Sequence, residues 1–214
     1  MEGERTITER NEYERSSLSE EEAGQDPMHL FSAWLDAAER SGQPDHGAMV
    51  LSTVGAASLS SRVVLLRQID DRGFIFYTNY NSRKAMDLER DPRASLNFFW
   101  PALQRQVRVE GKASRISGEE SDAYFADRPR ASQIGAWSSD QSRVTGDRAF
   151  LEARFKRWSE RFEGKPVPRP DHWGGIVVRP VRIEFWQGRA SRLHDRLVYE
   201  RLSGGAWERI RLQP

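Results

Sequence analysis

Basic side chains are concentrated in one segment, "EFWQGRASRLHDR" (184–196), which also holds a histidine and two aromatic residues. If this segment is an extended strand, Arg192, His194 and Arg196 project from one face, because successive side chains alternate. Such a row is typical either of a solvated surface or of a cleft that binds an anion. From this segment alone, both interpretations stay open.

A second basic cluster lies in "NSRKAMDLERDP" (81–92), where Ser82 is placed to cap a short helix that Pro92 ends. A helix N-terminus offers free backbone N–H groups and a partial positive charge. Arg83 and Lys84 in that first turn therefore cost up to about 1 kcal/mol unless an anion lies opposite. The pattern indicates either a bound phosphate-type group or a surface helix with unfavourable charges.

Tyr124 and Arg128 are spaced i, i+4 in a predicted helix, and Ser132 follows the break at Pro129. Together these side chains are suitable donors for another phosphate. The alternative is a tyrosine stacked on an arginine at a helix surface. The loop "DQS" (140–142) is polar and indicates little by itself.

The segment "SRVVLLRQ" (61–68) places Arg62 and Arg67 on either side of four large aliphatic residues. A strand so apolar is predicted to be buried on both faces, and an arginine at its end then needs a partner. No metal site is predicted, because the histidines show neither HxxxH nor HxH spacing: His29, His46, His172 and His194.

Composition narrows the class of protein. In 214 residues, 33 Lys and Arg balance 32 Asp and Glu, which argues against a general nucleic-acid or polybasic membrane binder. Cysteine is absent, which excludes thiolate chemistry and suits a cytoplasmic protein. No apolar run is long enough to span a bilayer. The polar start predicts a mobile arm over 1–25, followed by a single domain over 26–214.

The hydrophobic periodicity predicts many antiparallel strands with a few inserted helices. Helices are predicted from 27 to Gly42, from Ser82 to Pro92, over 118–127 and over 147–162. Strands are predicted over 47–54, 58–70, 74–79, 94–100, 105–117, 176–187, 191–201 and 206–212. Strands and helices do not alternate, so a doubly wound sheet is not expected. The fold class is mainly β, with a closed or split antiparallel barrel.

Six segments in order give the chain a specific resemblance: "SRVVLLR", "FYTNYNSRKAMDLE", "RQVRVEGKASRIS", "RPRASQIGAWSSDQS", "HWGG" and "EFWQGRASRLHDR". From about residue 26 to the end, the sequence resembles the pyridoxine/pyridoxamine 5′-phosphate oxidases. The resemblance implies a homodimer of FMN-binding split barrels, with FMN between the subunits. It also implies oxidation of pyridoxine or pyridoxamine 5′-phosphate to pyridoxal 5′-phosphate by FMN and O2 in vitamin B6 salvage, with release of H2O2.

The resemblance also implies roles for individual residues. The expected FMN contacts are Arg62, Val63, Val64, Leu65, Leu66, Arg67, Tyr77, Thr78, Arg83, Lys84, Gln106, Gln141, Ser142, Trp186 and Arg196. The expected substrate-phosphate site is Arg67, Tyr124, Arg128 and Ser132. Arg192 and His194, with Leu193 between them, are expected to hold the pyridine ring and to be the catalytic pair.

Three positions depart from the pattern or are weakly supported by it. Arg67 stands where many relatives have lysine, so phosphate geometry could differ. Arg10 and Tyr13 match an active-site lid, but Asn11 stands where a second basic residue is usual. Asp45 either borders the site or is a simple turn residue.

Two other functions are compatible with the same residues. One is a flavin oxidase of the same barrel acting on another ring, such as a phenazine precursor. The other is a non-enzymatic flavin-binding protein. The phosphate-binding and ring-binding residues in "RPRASQIGAW" and "RLHDR" favour the B6 oxidase over both.

Overall fold

The computed structural model describes residues 12, 13 and 15–214. These residues form two compact units. The first comprises the described part of Met1–His46 with Phe99–Arg108 and Ile183–Pro214, and the second comprises Gly47–Phe98 and Val109–Arg182. The predicted division into an arm and one domain stays a prediction.

A capping side chain precedes four of the six α-helices of the described residues. The helices are α1 (Glu20–Ala23), α2 (Pro27–Arg40), α3 (Arg83–Arg90), α4 (Gly118–Ala126), α5 (Arg130–Ser138) and α6 (Arg148–Arg161). The Asp26 side chain accepts a hydrogen bond from the Met28 N–H, and Pro27 occupies the first helical position, as predicted. Ser117 and Glu120 form the predicted reciprocal capping box at the start of α4.

The strands make one mainly antiparallel sheet. They are β1 (Ala48–Val54), β2 (Leu59–Leu65), β3 (Gln68–Asp70), β4 (Gly73–Asn79), β5 (Arg93–Trp100), β6 (Arg105–Arg115), β7 (Trp173–Gln187), β8 (Asp195–Arg201) and β9 (Trp207–Arg211). Their order is β2-β1-β5-β6-β7-β4-β3, and β8 pairs with both β7 and β9. The predicted mainly β class with inserted helices is confirmed.

The core of the first unit is aromatic. Phe31 and Trp34 of α2 lie against Trp100 and Phe185, with ring centroids 6.0 Å and 5.2 Å apart respectively. The Trp100 indole also donates a hydrogen bond to the His46 carbonyl at 2.9 Å. The predicted apolar stripe of α2 is thus the face that packs inward.

The second unit has a hydrophobic core cluster that consists of Phe125, Ile134, Phe162, Val167 and Trp173. Gly174 follows this cluster, and a Cβ at that position would collide with the Tyr80 hydroxyl. A Cβ at Gly175 would collide with Ile116 and would lie 2.9 Å from the Tyr77 ring. The "HWGG" segment therefore lets two tyrosines approach the strand backbone closely.

The predicted strand over 191–201 begins late. The chain leaves β7 at Gln187, makes a single 3₁₀ turn over Ala190–Arg192, and enters β8 at Asp195. Ser191 and Arg192 adopt left-handed backbone angles, with φ of 55° and 61°. The expectation that Arg192, His194 and Arg196 share one strand face is therefore wrong, because the backbone is not extended there.

Two other sequence-based predictions are corrected. The predicted strand over 58–70 is divided, since β2 ends at Leu65 and β3 begins at Gln68. Strand β2 is also not buried on both faces in the single chain, because Leu59 and Val63 are 78% and 65% exposed. Helix α5 is absent from the predicted elements.

None of the helices within the described ranges is both long and apolar enough to cross a membrane.

Candidate active site

A cavity of about 440 Å³ opens in the second unit and has the size of a small-molecule site. Its lining includes members of both predicted phosphate sites: Val63, Val64, Leu65, Arg67, Tyr77, Thr78, Lys84, Tyr124, Arg128, Ser132 and Gln141. Asn79, Gly135, Ala136, Ser139 and Trp173 complete it. None of these lining residues is acidic, whereas three of them are cationic. The cavity is therefore suited to anionic ligands.

Lys84 is held at one part of this cavity by polar neighbours. Its Nζ donates to Thr78 Oγ1 and Gln141 Oε1, each at 3.1 Å, and to Ser82 Oγ at 3.3 Å. Burial, and then the charge of Arg62, lower the pKa of Lys84 to about 8. The loop residue Gln141, uninformative in the sequence, thus meets two residues predicted to bind FMN.

Ser82 lies at the start of α3 as predicted, but its side chain makes no capping hydrogen bond. Its hydroxyl instead accepts from Lys84, and its carbonyl accepts the N–H groups of Ala85 and Met86 at 3.0 Å. The prediction that the Ser82 side chain caps α3 is therefore wrong. The N–H groups of the first turn are not capped by that hydroxyl, which fits an anion-binding end.

An aromatic stack forms another part of the cavity. The Tyr77 and Tyr124 rings lie parallel with centroids 3.7 Å apart, and the Trp173 ring, nearly parallel to both, lies 5.5 Å from Tyr77 and 6.2 Å from Tyr124. The Arg128 guanidinium lies 4.4 Å above the Trp173 ring. Helix α4 ends at Ala126, so Tyr124 and Arg128 do not share one helix face as predicted, yet both line the cavity.

Arg128 has unused hydrogen-bonding capacity. Its Nη1 is buried without a hydrogen-bond partner among the described residues, which is costly for a charged group. Burial lowers the pKa of Arg128, with a smaller contribution in the same direction from Arg67. An anion bound at this point would satisfy the group and offset both effects.

The predicted ring-binding residues lie in the first unit. The His194 ring packs 4.7 Å from Trp186 and 5.8 Å from Tyr13, measured between centroids. The Arg189 N–H donates to His194 Nδ1 at 3.1 Å, so the neutral ring carries its proton on Nε2. Burial, and then the charge of Arg192, lower the pKa of His194, which favours this neutral form.

Arg196 is fixed by a buried carboxylate that sequence analysis did not identify. Its Nε donates to Glu184 Oε1 at 2.8 Å, and its Nη1 donates to the Gln213 carbonyl at 2.9 Å. The Glu184 side chain is 2% exposed and also lies 3.5 Å from Arg108. The alternation of "RIEFW" gives no reason for a buried glutamate, so only the structure reveals it.

The remaining predicted residues are dispersed. Leu66 is buried, Gln106 is half-buried on β6, and Arg83, Ser142, Arg192 and Leu193 are exposed. Asp45 is a turn residue with φ of 51°, and no contact with the cavity supports a site role. Arg10 and Asn11 lie outside the described residues. Among the described residues, no group of His, Asp or Glu side chains could hold a metal ion.

Two family models match the sequence and together span most of the chain. The model described as pyridoxamine 5′-phosphate oxidase matches residues 35–162. The model described as the pyridoxine 5′-phosphate oxidase C-terminal dimerisation region matches residues 173–214.

Curated relatives are similar over nearly their whole length. The chain is 55% identical to the pyridoxine/pyridoxamine 5′-phosphate oxidase of Rubrobacter xylanophilus over 96% of this chain and 94% of that protein. It is 50% identical to the protein of the same name from Cupriavidus necator over 96% and 97%.

Solved structures share the fold. PhzG from Burkholderia lata, in complex with tetrahydrophenazine-1-carboxylic acid, superposes with a TM-score of 0.85 at 31% identity, covering 91% of this chain and 95% of that one. A pyridoxamine 5′-phosphate oxidase-related, FMN binding protein from Nostoc punctiforme gives a TM-score of 0.74 at 18% identity, covering 89% and 100%. The second likeness supports the fold alone.

Proposed function

Because the chain belongs to the pyridoxamine 5′-phosphate oxidase family, we propose that it oxidises pyridoxine 5′-phosphate and pyridoxamine 5′-phosphate to pyridoxal 5′-phosphate. FMN is the cofactor and O2 the final acceptor, which leaves as H2O2; the amine substrate also releases NH3. The observation that carries this proposal is the cavity of the second unit, where cations from both predicted phosphate sites line one space and none of the described lining residues is acidic. The fold is the split barrel of this family.

The donor set of the cavity fits FMN. Lys84 and Thr78, with the uncapped start of α3, supply donors for a phosphate ester. The half-buried Tyr77 ring and the aliphatic side chains of Val63 and Leu65 supply flat and apolar surface for a ring. When bound, FMN accepts the two electrons that the substrate carbon loses. The protein supplies position and charge.

Arg67, Arg128, Tyr124 and Ser132 are assigned to the substrate phosphate. The Nη1 atom of Arg128 is the strongest support, because a buried guanidinium nitrogen that has no acceptor among the described residues is costly. Arg67 presents a planar fork instead of the single ammonium of a lysine, so it can bind two phosphate oxygens at once.

Arg192 and His194 are assigned to the pyridine ring of the substrate. His194 in its neutral form offers Nε2–H as a donor, while the backbone N–H of Arg189 keeps the ring oriented. Arg192 is exposed and cationic, so its guanidinium can donate hydrogen bonds to a polar ring substituent. Holding the substrate in a reactive geometry can contribute several kcal/mol to catalysis.

A match to a dimerisation region supports a homodimer. We place FMN at the subunit interface because Val63 and Leu65, which line the cavity, are 65% and 38% exposed in the single chain. Aliphatic side chains so exposed on an edge strand are typical of a surface that a partner covers. A cytoplasmic location stays a prediction from the cysteine-free sequence.

The test is an assay of the purified protein. We expect a flavin absorbance spectrum and, on addition of pyridoxine 5′-phosphate in air, equal amounts of pyridoxal 5′-phosphate and peroxide. Arg192→Ala should lower turnover about 100-fold while FMN stays bound, because ring orientation alone is lost. A flavin-loaded protein without turnover, or an Arg192→Ala variant with normal turnover, would contradict the proposal.

A second candidate is oxidation of a phenazine precursor, which the similarity to PhzG favours. That ligand carries one carboxylate and no phosphate ester, so it offers fewer anionic oxygens to the cationic set around Arg128 than a phosphate ester does. The two candidates separate in one experiment: pyridoxine without its phosphate should be a poor substrate, and inorganic phosphate should compete with the phosphorylated substrate.

A further inference from the structure

Asp87 is an enclosed carboxylate whose surroundings suggest a role. It lies on α3 one turn after Arg83, and its side chain is 10% exposed. Its Oδ2 accepts a hydrogen bond from the Thr53 hydroxyl at 2.8 Å and lies 3.8 Å from Nη2 of Arg62. The carboxylate thus faces an arginine that the family resemblance predicts to contact FMN.

Thr53 connects the acid to the arginine. Nη1 of Arg62 donates to Thr53 Oγ1 at 2.9 Å, while the hydroxyl hydrogen is donated onward to Asp87. Nη1 also donates to the Leu51 carbonyl at 3.2 Å, and Nη2 donates to Ser60 Oγ at 2.8 Å. The guanidinium plane is therefore fixed by contacts on β1 and β2, with Asp87 behind them.

The β1–β2 turn closes over the carboxylate. The Gly55 N–H donates to the Ser58 carbonyl at 3.0 Å and forms the turn. A Cβ at Gly55 would lie 3.3 Å from Asp87 Oδ1 and closer still to the Ser58 carbonyl. The Arg83 side chain reaches the same turn, where its Nη2 donates to Ser58 Oγ at 3.3 Å.

Three cations near this turn repel one another. Burial, and then the charge of Arg62, lower the pKa of Lys84; burial, with a smaller contribution from the charge of Arg83, lowers the pKa of Arg62. The charge of Asp87 acts on Arg62 in the opposite direction. Without this carboxylate, the Thr53 hydroxyl keeps only the more distant Ser60 carbonyl, at 3.5 Å, as an acceptor. Arg62 also loses the group that balances the neighbouring cations.

We propose that Asp87 is a positioning residue for the FMN phosphate: through Thr53, it holds the Arg62 guanidinium beside Arg83 and Lys84. This inference rests on the proposed function and on the family resemblance, which implies that Arg62 contacts FMN. Coulomb repulsion between the carboxylate and the phosphate alone predicts the opposite direction, because removing an anion near a phosphate should tighten binding. The direction of the change therefore decides between a positioning role and a charge effect alone.

The experiment compares FMN with riboflavin, which lacks the phosphate. The full chain is freed of flavin, and both compounds are titrated while their fluorescence is followed. In Asp87→Asn, we expect the Kd of FMN to rise about tenfold, while the Kd of riboflavin changes less than twofold. Glu89→Gln, on the same helix, is the matched control, because it also removes one negative charge but its side chain is 67% exposed. That control should change neither Kd.

Arg62→Ala completes a double-mutant cycle. We expect Arg62→Ala to weaken FMN selectively, and Asp87→Asn to have no further effect in that background. If Arg62→Ala weakens FMN but Asp87→Asn leaves it equal or tighter, the positioning role is wrong and the proposed site stands. If Arg62→Ala changes the Kd of FMN and the Kd of riboflavin equally, Arg62 does not bind the FMN phosphate. The inference about Asp87 is then wrong as well. An equal loss of both flavins in Asp87→Asn would show general structural damage and also overturn the role.

Discussion

At the scale of single residues, the cavity is a set of cations whose charges the chain leaves incompletely balanced. Lys84 is surrounded by neutral acceptors, and Arg128 has an unsatisfied buried nitrogen among the described residues. Elsewhere the chain pairs its arginines closely: Arg72, for example, contacts both Asp70 and Glu120. The free-energy cost of the unbalanced charges is recovered when anionic ligands bind.

FMN affinity should therefore depend on pH through Lys84. The pKa of Lys84 is about 8 before binding, and a phosphate beside it raises that pKa, so binding is linked to uptake of a proton. We expect the Kd of FMN to be constant below about pH 7.5 and to rise up to tenfold for each unit above about pH 8. Titrations of the flavin-free protein with FMN between pH 6.5 and 9.5 measure this change in Kd. Lys84→Met should bind more weakly with a flatter profile, and an unchanged slope in that variant would exclude Lys84 as the titrating group.

At the scale of elements, the sequence predicts most strands because their periodicity is local. The capped starts of α2 and α4 are confirmed for the same reason. Helix α5 is not predicted, because it starts directly after Pro129 and its polar residues interrupt the helical spacing of the apolar ones. The left-handed turn at Ser191 has no glycine to indicate it. Contacts such as Thr53–Asp87 join residues 34 positions apart, which no spacing rule can reveal.

The paired glycines of β7 should be sensitive to added volume. In Gly175→Ala, the new methyl group would overlap Ile116 and press on the Tyr77 ring. We expect a loss of about 1–3 kcal/mol in the free energy of unfolding and weaker flavin binding, measured by denaturant unfolding and flavin titration. Gly204→Ala is the control, because a Cβ there meets nothing within 4 Å. Equal stability of Gly175→Ala and the unmodified chain would contradict the packing described for this strand.

At the scale of the whole molecule, two features of the chain are typical of a protein that forms a dimer. The outer face of β2 exposes Leu59, Val63 and Leu65, and a family model for a dimerisation region covers the C-terminal segment. Through the family resemblance, the sequence predicts most of the residues that line the cavity. The sequence could not show that β2 is exposed in one chain, because exposure depends on what lies next to a strand in space.

A charge on the face of β2 should disrupt assembly. Val63→Lys would place an ammonium group where a partner must exclude water, which costs several kcal/mol. We expect sedimentation of a monomer and loss of bound FMN, whereas Val63→Ile should stay dimeric and yellow. A Val63→Lys variant that stays dimeric with full flavin content would show that the interface does not include this face of β2.

The left-handed pair at Ser191 and Arg192 has a consequence for protein engineering. Each non-glycine residue in that conformation costs roughly 1–2 kcal/mol, so selection for heat resistance alone would favour glycine at both positions. At 191 the exchange would release strain while loosening the turn, and at 192 it would erase the arginine assigned to the substrate. A screen that scores survival on heating, without scoring turnover, would thus enrich stable but inactive enzymes from this chain.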